Sequence, residues 1–327
     1  MKQWLASALS SLSPINRLYR GGAVIFMLHR VAPGVPHELK SNRGLKVAPE
    51  FLRQFLQEVR GAGYRFTSLN ELHARLTAGE SLEGLAVITL DDGYADNHTI
   101  AYPIFREMGV PFTIYVTTCF PEGTAILWWY WLEQVLQRSE HVELQDGTRI
   151  ETGTDAEKNR AFLQLRQMIV NHGNVGQAEF LRSLVKNNSV DILSVSRDLA
   201  MRWEQIEELS RDDLVTIGGH TASHVSLASL TESQMRTEVL GGNSLIAKHT
   251  GRPVEHFAYP YGGRLEAGAR EFQVMKTLGL KTLVTTRRGT LYPSHRHHLE
   301  CLPRINVDEA FRVGDIGRIR RQIVVTD

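Results

Sequence analysis

Short apolar runs that alternate with helical patterns constrain the fold of this chain more than any other feature. The runs are rich in Val, Ile, Thr and aromatic residues and have the length of buried strands. Because strands separated by helices pair in parallel, the order predicts an α/β fold, either a Rossmann-like sheet or an α/β barrel. The six runs are residues 23–28, 85–90, 111–117, 214–217, 256–259 and 281–285.

Three helices can be placed between these runs from their apolar stripes and their end signals. Thr231 is a suitable N-cap for the helix that ends at residue 249, and Gly279 directly follows the helix that ends at residue 278. The predicted helices span residues 50–60, 231–249 and 265–278.

Composition narrows the class of protein. The chain has 327 residues, 42% of them hydrophobic, and a formal net charge of +1, so it is globular and carries no basic excess for nucleic acid. Two cysteines, Cys119 and Cys301, exclude a disulfide framework and a Cys-rich zinc module. Ligands of any bound metal must therefore come from carboxylates and the 13 histidines.

We predict one barrel domain over residues 21–310, flanked by an N-terminal amphipathic segment 1–20 and a C-terminal tail 311–327. Residues 120–210 break the alternation with a helical, polar insertion between two core strands. It is a lid, a partner surface or a membrane contact. No run reaches the ~20 apolar residues of a membrane span.

Polar residues follow the ends of separate predicted strands. His29 follows the first, Asp91 and Asp92 follow the second, and the segments 218–224 and 260–263 follow two later strands. The carboxyl ends of parallel strands converge on one face, where active sites of α/β folds lie. These residues are therefore expected to meet.

A metal site can be built from three of them. His220 and His224 are four residues apart, so both imidazoles can reach one ion if the segment curls, and one of the two aspartates can be the third ligand. Two histidines and one carboxylate leave open positions, as catalysis requires. Each motif alone also has a plainer interpretation: Asp91 and Asp92 as a turn or helix cap, and the histidines as surface residues.

The remaining groups suit hydrolysis. The spare aspartate can act as a general base, His29 as a general acid, and the Tyr261 loop can offer a backbone N–H to an oxyanion. Two histidines and a carboxylate also bind iron in non-haem oxygenases. The spare aspartate and the position at strand ends fit hydrolysis better than this alternative.

Three motifs in order carry a resemblance: TLDDGYADN at 89–97, HTASH at 220–224 and FAYPYGG at 257–263. They resemble the first three motifs of the polysaccharide deacetylases, carbohydrate esterase family four. The resemblance extends from residue 26 to about 307, apart from the insertion. It implies a distorted (β/α) barrel and metal-dependent hydrolysis of N-acetyl groups on sugars.

Carried over by matching position, the resemblance implies roles for five residues. Asp91 is the general base, and Tyr261 supplies the oxyanion N–H. A divalent ion, usually Zn²⁺ in this family, is held by three ligands: Asp92, His220 and His224.

The sequence departs from the family pattern in two places. Ala258 stands where the third motif commonly has an Arg that supports the base, and Arg304, in LPRI after the last predicted strand, is a candidate replacement. A C-terminal Leu-x-His motif, the usual source of the acid, is absent. FMLHRV at 26–31 resembles the first strand of a circularly permuted branch, so His29 would supply the acid. A structural histidine in the core is the alternative.

Aromatic residues near these motifs are candidate sugar contacts. We expect Tyr94, Tyr259 and Trp129 to touch substrate, although the cluster 128–131 also suits packing. His98 is a substrate contact or a helix-start residue. A separate histidine cluster, His295, His297 and His298, is interpreted as surface rather than as a second metal site, because no carboxylate or Cys spacing supports one.

The predicted function is metal-dependent deacetylation of an amino sugar in a surface polysaccharide or its precursor. The alternative is a carbohydrate-binding or assembly module that has lost catalysis. The expected partner is an N-acetylated carbohydrate and not nucleic acid; the oligomeric state is not indicated. We expect a cytoplasmic protein, with the N-terminal segment compatible with peripheral membrane contact, and export through a signal peptide as the alternative.

Overall fold

Seven parallel strands close into a barrel in the computed structural model of this chain, which describes residues 21–34, 38–172, 176–186 and 189–318. The ring runs β1-β12-β11-β10-β9-β6-β5, and β5 pairs with β1 to close it. The strands are β1 (Ala23–Leu28), β2 (Arg30–Val31), β3 (Lys46–Val47), β4 (Arg65–Phe66), β5 (Leu85–Asp92), β6 (Phe112–Val116), β7 (His141–Glu143), β8 (Arg149–Glu151), β9 (Val215–Gly219), β10 (His256–Ala258), β11 (Thr282–Arg288) and β12 (Leu302–Asn306).

Helices surround the barrel and build most of the insertion between β6 and β9. They are α1 (Lys40–Arg43), α2 (Pro49–Gly61), α3 (Leu69–Ala78), α4 (Tyr102–Glu107), α5 (Trp128–Gln137), α6 (Asp155–His172), α7 (Gln177–Leu184), α8 (Ser194–Leu199), α9 (Trp203–Leu209), α10 (Glu232–Thr250) and α11 (Ala269–Lys276). A π-helix, Asn97–Ala101, leads into α4. None of the described helices is long and apolar enough to span a membrane.

The six predicted strands are all present in the barrel. Every residue of β1 and of β5 is buried, which explains their continuous apolar runs, since parallel strands are covered on both faces. The barrel confirms the predicted α/β class and decides between its two forms.

The seventh barrel strand, β12, was not predicted. Arg304 was expected after the last strand, but it lies inside β12. The run LPRIN was missed because Pro303 and Arg304 interrupt the apolar pattern that identifies a buried strand. Arg304 is fully buried because it faces a carboxylate inside the barrel.

Helix ends follow their local signals. Thr231 caps α10 by accepting a hydrogen bond from the Gln234 N–H, and Gly251 ends the helix in the left-handed region at φ 68°. The helix predicted over 265–278 is shorter in the structure, Ala269–Lys276.

The insertion between β6 and β9 has its own hydrophobic core. It contains five helices, α5 to α9, among the described residues, as its pattern indicated, and also an antiparallel hairpin, β7 with β8, that was not predicted. Its core includes Trp131, Leu165 and Leu181, all fully buried. The apparent polarity of this segment belongs to its exterior.

The packed domain extends beyond the expected boundary at residue 310. Phe311 packs edge-on against Phe26 and Phe55, with 5.9 Å between ring centres in each pair, and Ile316 is also buried. The start of the predicted tail is thus part of the core, while the predicted N-terminal segment 1–20 and residues 319–327 lie outside the described residues.

Candidate active site

Asp92, His220 and His224 converge at the carboxyl end of the barrel. Oδ1 of Asp92, the last residue of β5, lies 3.3 Å from Nε2 of His220 and 3.2 Å from Nε2 of His224. One ligand atom from each residue falls within 4.8 Å of the others. The two histidines follow β9, next to β6 and one strand beyond β5, as the convergence argument expected.

The donor atoms of this cluster fit a divalent cation. His220 donates its Nδ1–H to the carbonyl of Ala258 at 2.7 Å, which leaves the Nε2 lone pair facing Asp92. Asp92 Oδ1 is buried and accepts no hydrogen bond of good geometry from any described residue. Burial alone would raise the pKa of Asp92, but the imidazoles of His224 and His220 hold it well below its usual value. An ionised carboxylate and two imidazole nitrogens are typical zinc ligands.

Backbone strain is concentrated in the same motifs. Four non-glycine residues among those described have positive φ: Asp92 at 77°, Thr221 at 66°, His224 at 56° and Tyr261 at 60°. L-residues in this region are uncommon and persist where the surrounding structure enforces them. Their positions within the three sequence motifs support a functional role for this end of the barrel.

Glu238 of α10 holds the loop that joins the two histidines. Its carboxylate accepts hydrogen bonds from the N–H groups of Ala222 and Ser223 at 3.1 and 3.0 Å, and from the Ser223 hydroxyl at 2.9 Å. These contacts fix a strained loop. Glu238 was not identified from the sequence, because a lone Glu on an amphipathic helix resembles any exposed residue.

Asp91 faces a different partner from its neighbour. Arg304 donates two hydrogen bonds to its carboxylate, at 2.6 and 2.7 Å, and others to the Thr89 hydroxyl at 3.1 Å and the Thr285 carbonyl at 2.9 Å. Burial would raise the pKa of Asp91, but the charge and hydrogen bonds of Arg304 outweigh it and lower the pKa. The expected approach of Arg304 to Asp91 is therefore found, and Ala258 leaves the site without the usual Arg.

His29 lies at the end of β1 and lines the same cleft. The Asn97 side chain donates to its carbonyl at 2.8 Å, which anchors the backbone. Its Nδ1 is buried and has no hydrogen-bond partner among the described residues. Burial lowers the pKa of His29, although the charges of Asp92 and Asp91 oppose this shift.

Tyr261 offers a backbone donor to the cleft. Its N–H meets no acceptor in the described part of the chain, while its carbonyl accepts from the Thr286 hydroxyl at 2.7 Å. Trp128 donates its indole N–H to the Tyr261 hydroxyl at 3.2 Å. Burial raises the pKa of this hydroxyl to about 12.

The cleft above these residues has a volume of about 400 Å³. This is within the range of ligand-binding cavities, ~300–1,000 Å³. The insertion builds one wall with aromatic and other side chains of α5 and α6, and α1 contributes polar groups. These additional residues are Trp128, Phe162, Leu163, Arg166, Ser41 and Asn42. Apart from Trp128, which belongs to the aromatic cluster identified in the sequence, no motif marks them, because only tertiary packing brings the insertion over the barrel.

The three predicted sugar contacts are placed differently. Trp129 lines the cleft, with its ring 5.5 Å from that of His224. Tyr94 is fully buried against Phe120 and does not line the cleft. Tyr259 is also fully buried and donates its hydroxyl to the Glu300 carbonyl at 2.8 Å, so neither tyrosine is positioned to touch a substrate there.

Packing is the main role of the aromatic cluster. All four residues from Trp128 to Trp131 are buried, and only the first two reach the cleft. His98 lies outside the cleft, with Nε2 3.0 Å from the Glu208 carboxylate.

The histidine cluster near residue 297 differs from its expectation in two ways. His295 is buried rather than on the surface. A carboxylate and a thiol do lie near His298: ligand atoms of His298, Glu300 and Cys301 fall within 4.8 Å of one another. Spacing rules missed them because the three residues are nearly contiguous. Burial raises the pKa of the Cys301 thiol to about 12, which keeps it protonated.

Comparison with known proteins finds a family model that matches the second half of the barrel. The model of the polysaccharide deacetylase domain matches residues 156–283, which include both histidines of the cluster and Tyr261. This part of the chain is thus similar to the polysaccharide deacetylase domain. A protein of Bacillus subtilis (strain 168), YxkH, whose name assigns it to the polysaccharide deacetylases, is 30% identical over 81 residues. That match covers 24% of this chain and 29% of the relative's length.

Solved structures share the deacetylase barrel. The Streptococcus pyogenes deacetylase PplD, in complex with acetate, has a TM-score of 0.59 and 19% identity, covering 88% of this chain and 93% of that one. IcaB from Ammonifex degensii has a TM-score of 0.57 and 18% identity, covering 90% and 94%. At these identities the likeness establishes the fold alone, a (β/α) barrel shared with these deacetylases, as predicted, and the circular permutation stays a prediction.

Proposed function

We propose that this chain removes N-acetyl groups from an amino sugar of a surface polysaccharide or its precursor, releasing acetate, with a bound divalent metal ion. One observation carries the proposal: two adjacent carboxylates, Asp91 and Asp92, reach different partners at one end of the barrel. Asp92 meets two histidines, and Asp91 meets a guanidinium. This division provides one ligand and one base in the same cleft.

Asp92, His220 and His224 would hold the metal ion, and Zn²⁺ is the ion we expect. A divalent ion in such a site lowers the pKa of a bound water to ~7 and polarises a carbonyl. The Ala258 carbonyl would orient His220 for this task through its Nδ1–H.

Asp91 would accept the proton of the attacking water. Its low pKa keeps it ionised near neutral pH, and the two hydrogen bonds from Arg304 fix the direction of its carboxylate. Arg304 thereby acts as a positioning residue, supporting the base in place of the Arg that is absent at Ala258.

His29 would protonate the leaving amine, and the Tyr261 N–H would stabilise the oxyanion of the tetrahedral intermediate. Both groups have free hydrogen-bonding capacity within the described residues: the buried Nδ1 of His29 and the backbone N–H of Tyr261. Proton transfer from a positioned group and a preorganised N–H donor each accelerate acyl transfer.

A binding module without catalysis would not require this arrangement. Ala258 suggested loss of the supporting cation, but Arg304 supplies one, and a module that only binds sugar has no use for an ionised aspartate held beside the cluster. An iron oxygenase is disfavoured for the same reason. We also propose a cytoplasmic location, at the membrane face where lipid-linked sugar precursors are made.

Acetate release after chelation tests the proposal. The purified protein would be stripped with a chelator, reloaded with Zn²⁺, Co²⁺ or Ni²⁺, and assayed on N-acetylated glycans and on nucleotide- or lipid-linked sugars. Acetate formation that disappears on stripping and returns on reloading is the expected result. Stoichiometric glycan binding without acetate from any substrate would favour the module instead.

A further inference from the structure

Arg166 brings an unpaired positive charge into the cleft. It lies on α6 of the insertion, is half-buried, and lines the cleft together with Tyr261 and the metal-site histidines. Among the described residues it forms no hydrogen bond and no ion pair. A half-buried guanidinium ordinarily has an anionic or hydrogen-bonding partner, so this one is available for a ligand.

The two carboxylates that line the cleft already face other groups. Asp91 is paired with Arg304, and Asp92 faces His220 and His224. Arg166 is the one Arg or Lys side chain among the described residues that line the cleft, so it is the side chain there that is suited to an anionic group.

Packing of α6 holds Arg166 toward the cleft. Asn159, Phe162 and Arg166 stand at positions i, i+3 and i+7 of the helix, and residues at this spacing share one helix face. Asn159 accepts hydrogen bonds from the Ser41 N–H and hydroxyl at 3.2 Å. Phe162 is buried against Trp128, with ring centres 6.4 Å apart. These contacts fix the rotation of the helix and thus the direction of its fourth turn.

We infer that the substrate carries an anionic group, a carboxylate or a phosphate, on or beside the N-acetylated sugar, and that Arg166 binds it. The inference rests on the proposed function and adds the chemical class of its substrate. The planar guanidinium can bind either group through two parallel hydrogen bonds. Because the whole cleft is about 400 Å³, the anion must lie on the same sugar or its neighbour.

The test compares three N-acetylated substrates: chitotetraose, which is neutral; a hyaluronan tetrasaccharide, which carries carboxylates; and UDP-N-acetylglucosamine, which carries phosphates. Acetate release gives kcat/KM for each with wild type, Arg166→Gln and Arg166→Lys. Arg160→Gln is the matched control, because Arg160 is exposed on the same helix and does not line the cleft.

Wild type should prefer one of the anionic substrates over chitotetraose, and the better one identifies the anion. Arg166→Gln should reduce that preference by about 10- to 100-fold, the usual effect of a hydrogen bond to a charged group. Arg166→Lys should restore part of it, and Arg160→Gln should keep it. An equal loss on neutral and anionic substrates, or no preference in wild type, overturns the inference.

Calorimetric binding of the same three compounds separates this inference from the proposed function. If no acetate forms, the proposed function fails, but anionic ligands should still bind more tightly than chitotetraose, and Arg166→Gln should abolish the difference. The absence of any Arg166-dependent preference in binding, including no binding at all, overturns the inference.

Discussion

Arg304 and Asp91 form a buried bidentate pair across the inside of the barrel, with N–O distances of 2.6 and 2.7 Å. Arg304 comes from β12 and Asp91 from β5, the two strands on either side of β1. Neither side chain has more than 2% of its surface exposed. The ion pair therefore links the proposed base, Asp91, to β12, the barrel strand that was not predicted from the sequence.

Replacing Arg304 with Lys keeps the charge but removes the planar fork. We expect kcat/KM to fall about 10-fold or more, and the pKa of Asp91 to rise because it loses hydrogen bonds to its ionised form. The acid limb of the pH–rate profile should move to higher pH. Arg288→Lys is the control. Arg288 is exposed and lies opposite Arg304 in the strand register of β11 and β12. An unchanged profile in Arg304→Lys would contradict the positioning role.

The alkaline limb of the pH–rate profile should follow the ionisation of His29. An acid must hold its proton, and burial lowers the pKa of His29 below 6.5 despite the opposing charges of Asp92 and Asp91. The rate of wild type should therefore fall as pH rises through a pKa below 6.5. His29→Gln should lose this alkaline limb and about 10²- to 10⁴-fold in kcat. His98→Gln, outside the cleft, should retain both; an alkaline limb that persists in His29→Gln would remove His29 as the acid.

Gly218 lets β9 pass close to its neighbours. A Cβ there would lie 2.5 Å from the Tyr115 ring and 2.9 Å from the His256 carbonyl. Gly218→Ala should lower the free energy of unfolding by about 1–3 kcal/mol through overpacking. Gly241→Ala, in α10 with open space around it, should raise it by up to about 1 kcal/mol. Urea denaturation of both variants checks this; equal stabilities would show that β9 can shift freely.

His256 should make folding stability pH-dependent. Burial lowers the pKa of His256 to about 3, with smaller contributions from the charges of Lys281 and His73. Its Nε2 is hydrogen-bonded to the Asn70 side-chain oxygen at 3.1 Å, and its Nδ1 to the Thr282 hydroxyl at 2.8 Å. The unfolded chain binds a proton near pH 6.5, whereas the folded chain does not until about pH 3. Stability should thus decrease as pH falls through this window.

The slope from His256 should approach about 1.4 kcal/mol per pH unit, the free energy equivalent of one unit of pKa. Unfolding free energies of wild type and His256→Gln, measured from pH 7 to pH 4, give the contribution as a difference. Parallel curves would show that His256 is protonated equally in both states.

Sequence alone predicted the parts of this fold that depend on local pattern. β1 matched residue for residue because a strand buried on both faces is continuously apolar. The two histidines and Asp92 were found because strand ends converge. β12 was not, since a buried Arg304 looks like a break in a strand until its partner Asp91 is known.

Contacts that depend on tertiary packing could not be predicted from the sequence. Arg166 reaches the cleft because the insertion folds over the barrel, and no motif marks it. Tyr259 was expected at the substrate, but its ring turns into the helical layer and packs 5.4 Å from that of Phe272. A residue that follows a strand can face either the cleft or the surrounding helices, and only the structure decides.

Asp91 and Asp92 are adjacent in the chain, and we propose that one acts as the base and the other as a metal ligand. Zinc content and acetate release, measured side by side in wild type, Asp91→Asn and Asp92→Asn, separate the two roles. We expect Asp91→Asn to keep the metal and lose acetate release, whereas Asp92→Asn should lose both. Full activity in folded Asp91→Asn, or full metal binding in Asp92→Asn, would contradict this assignment of roles.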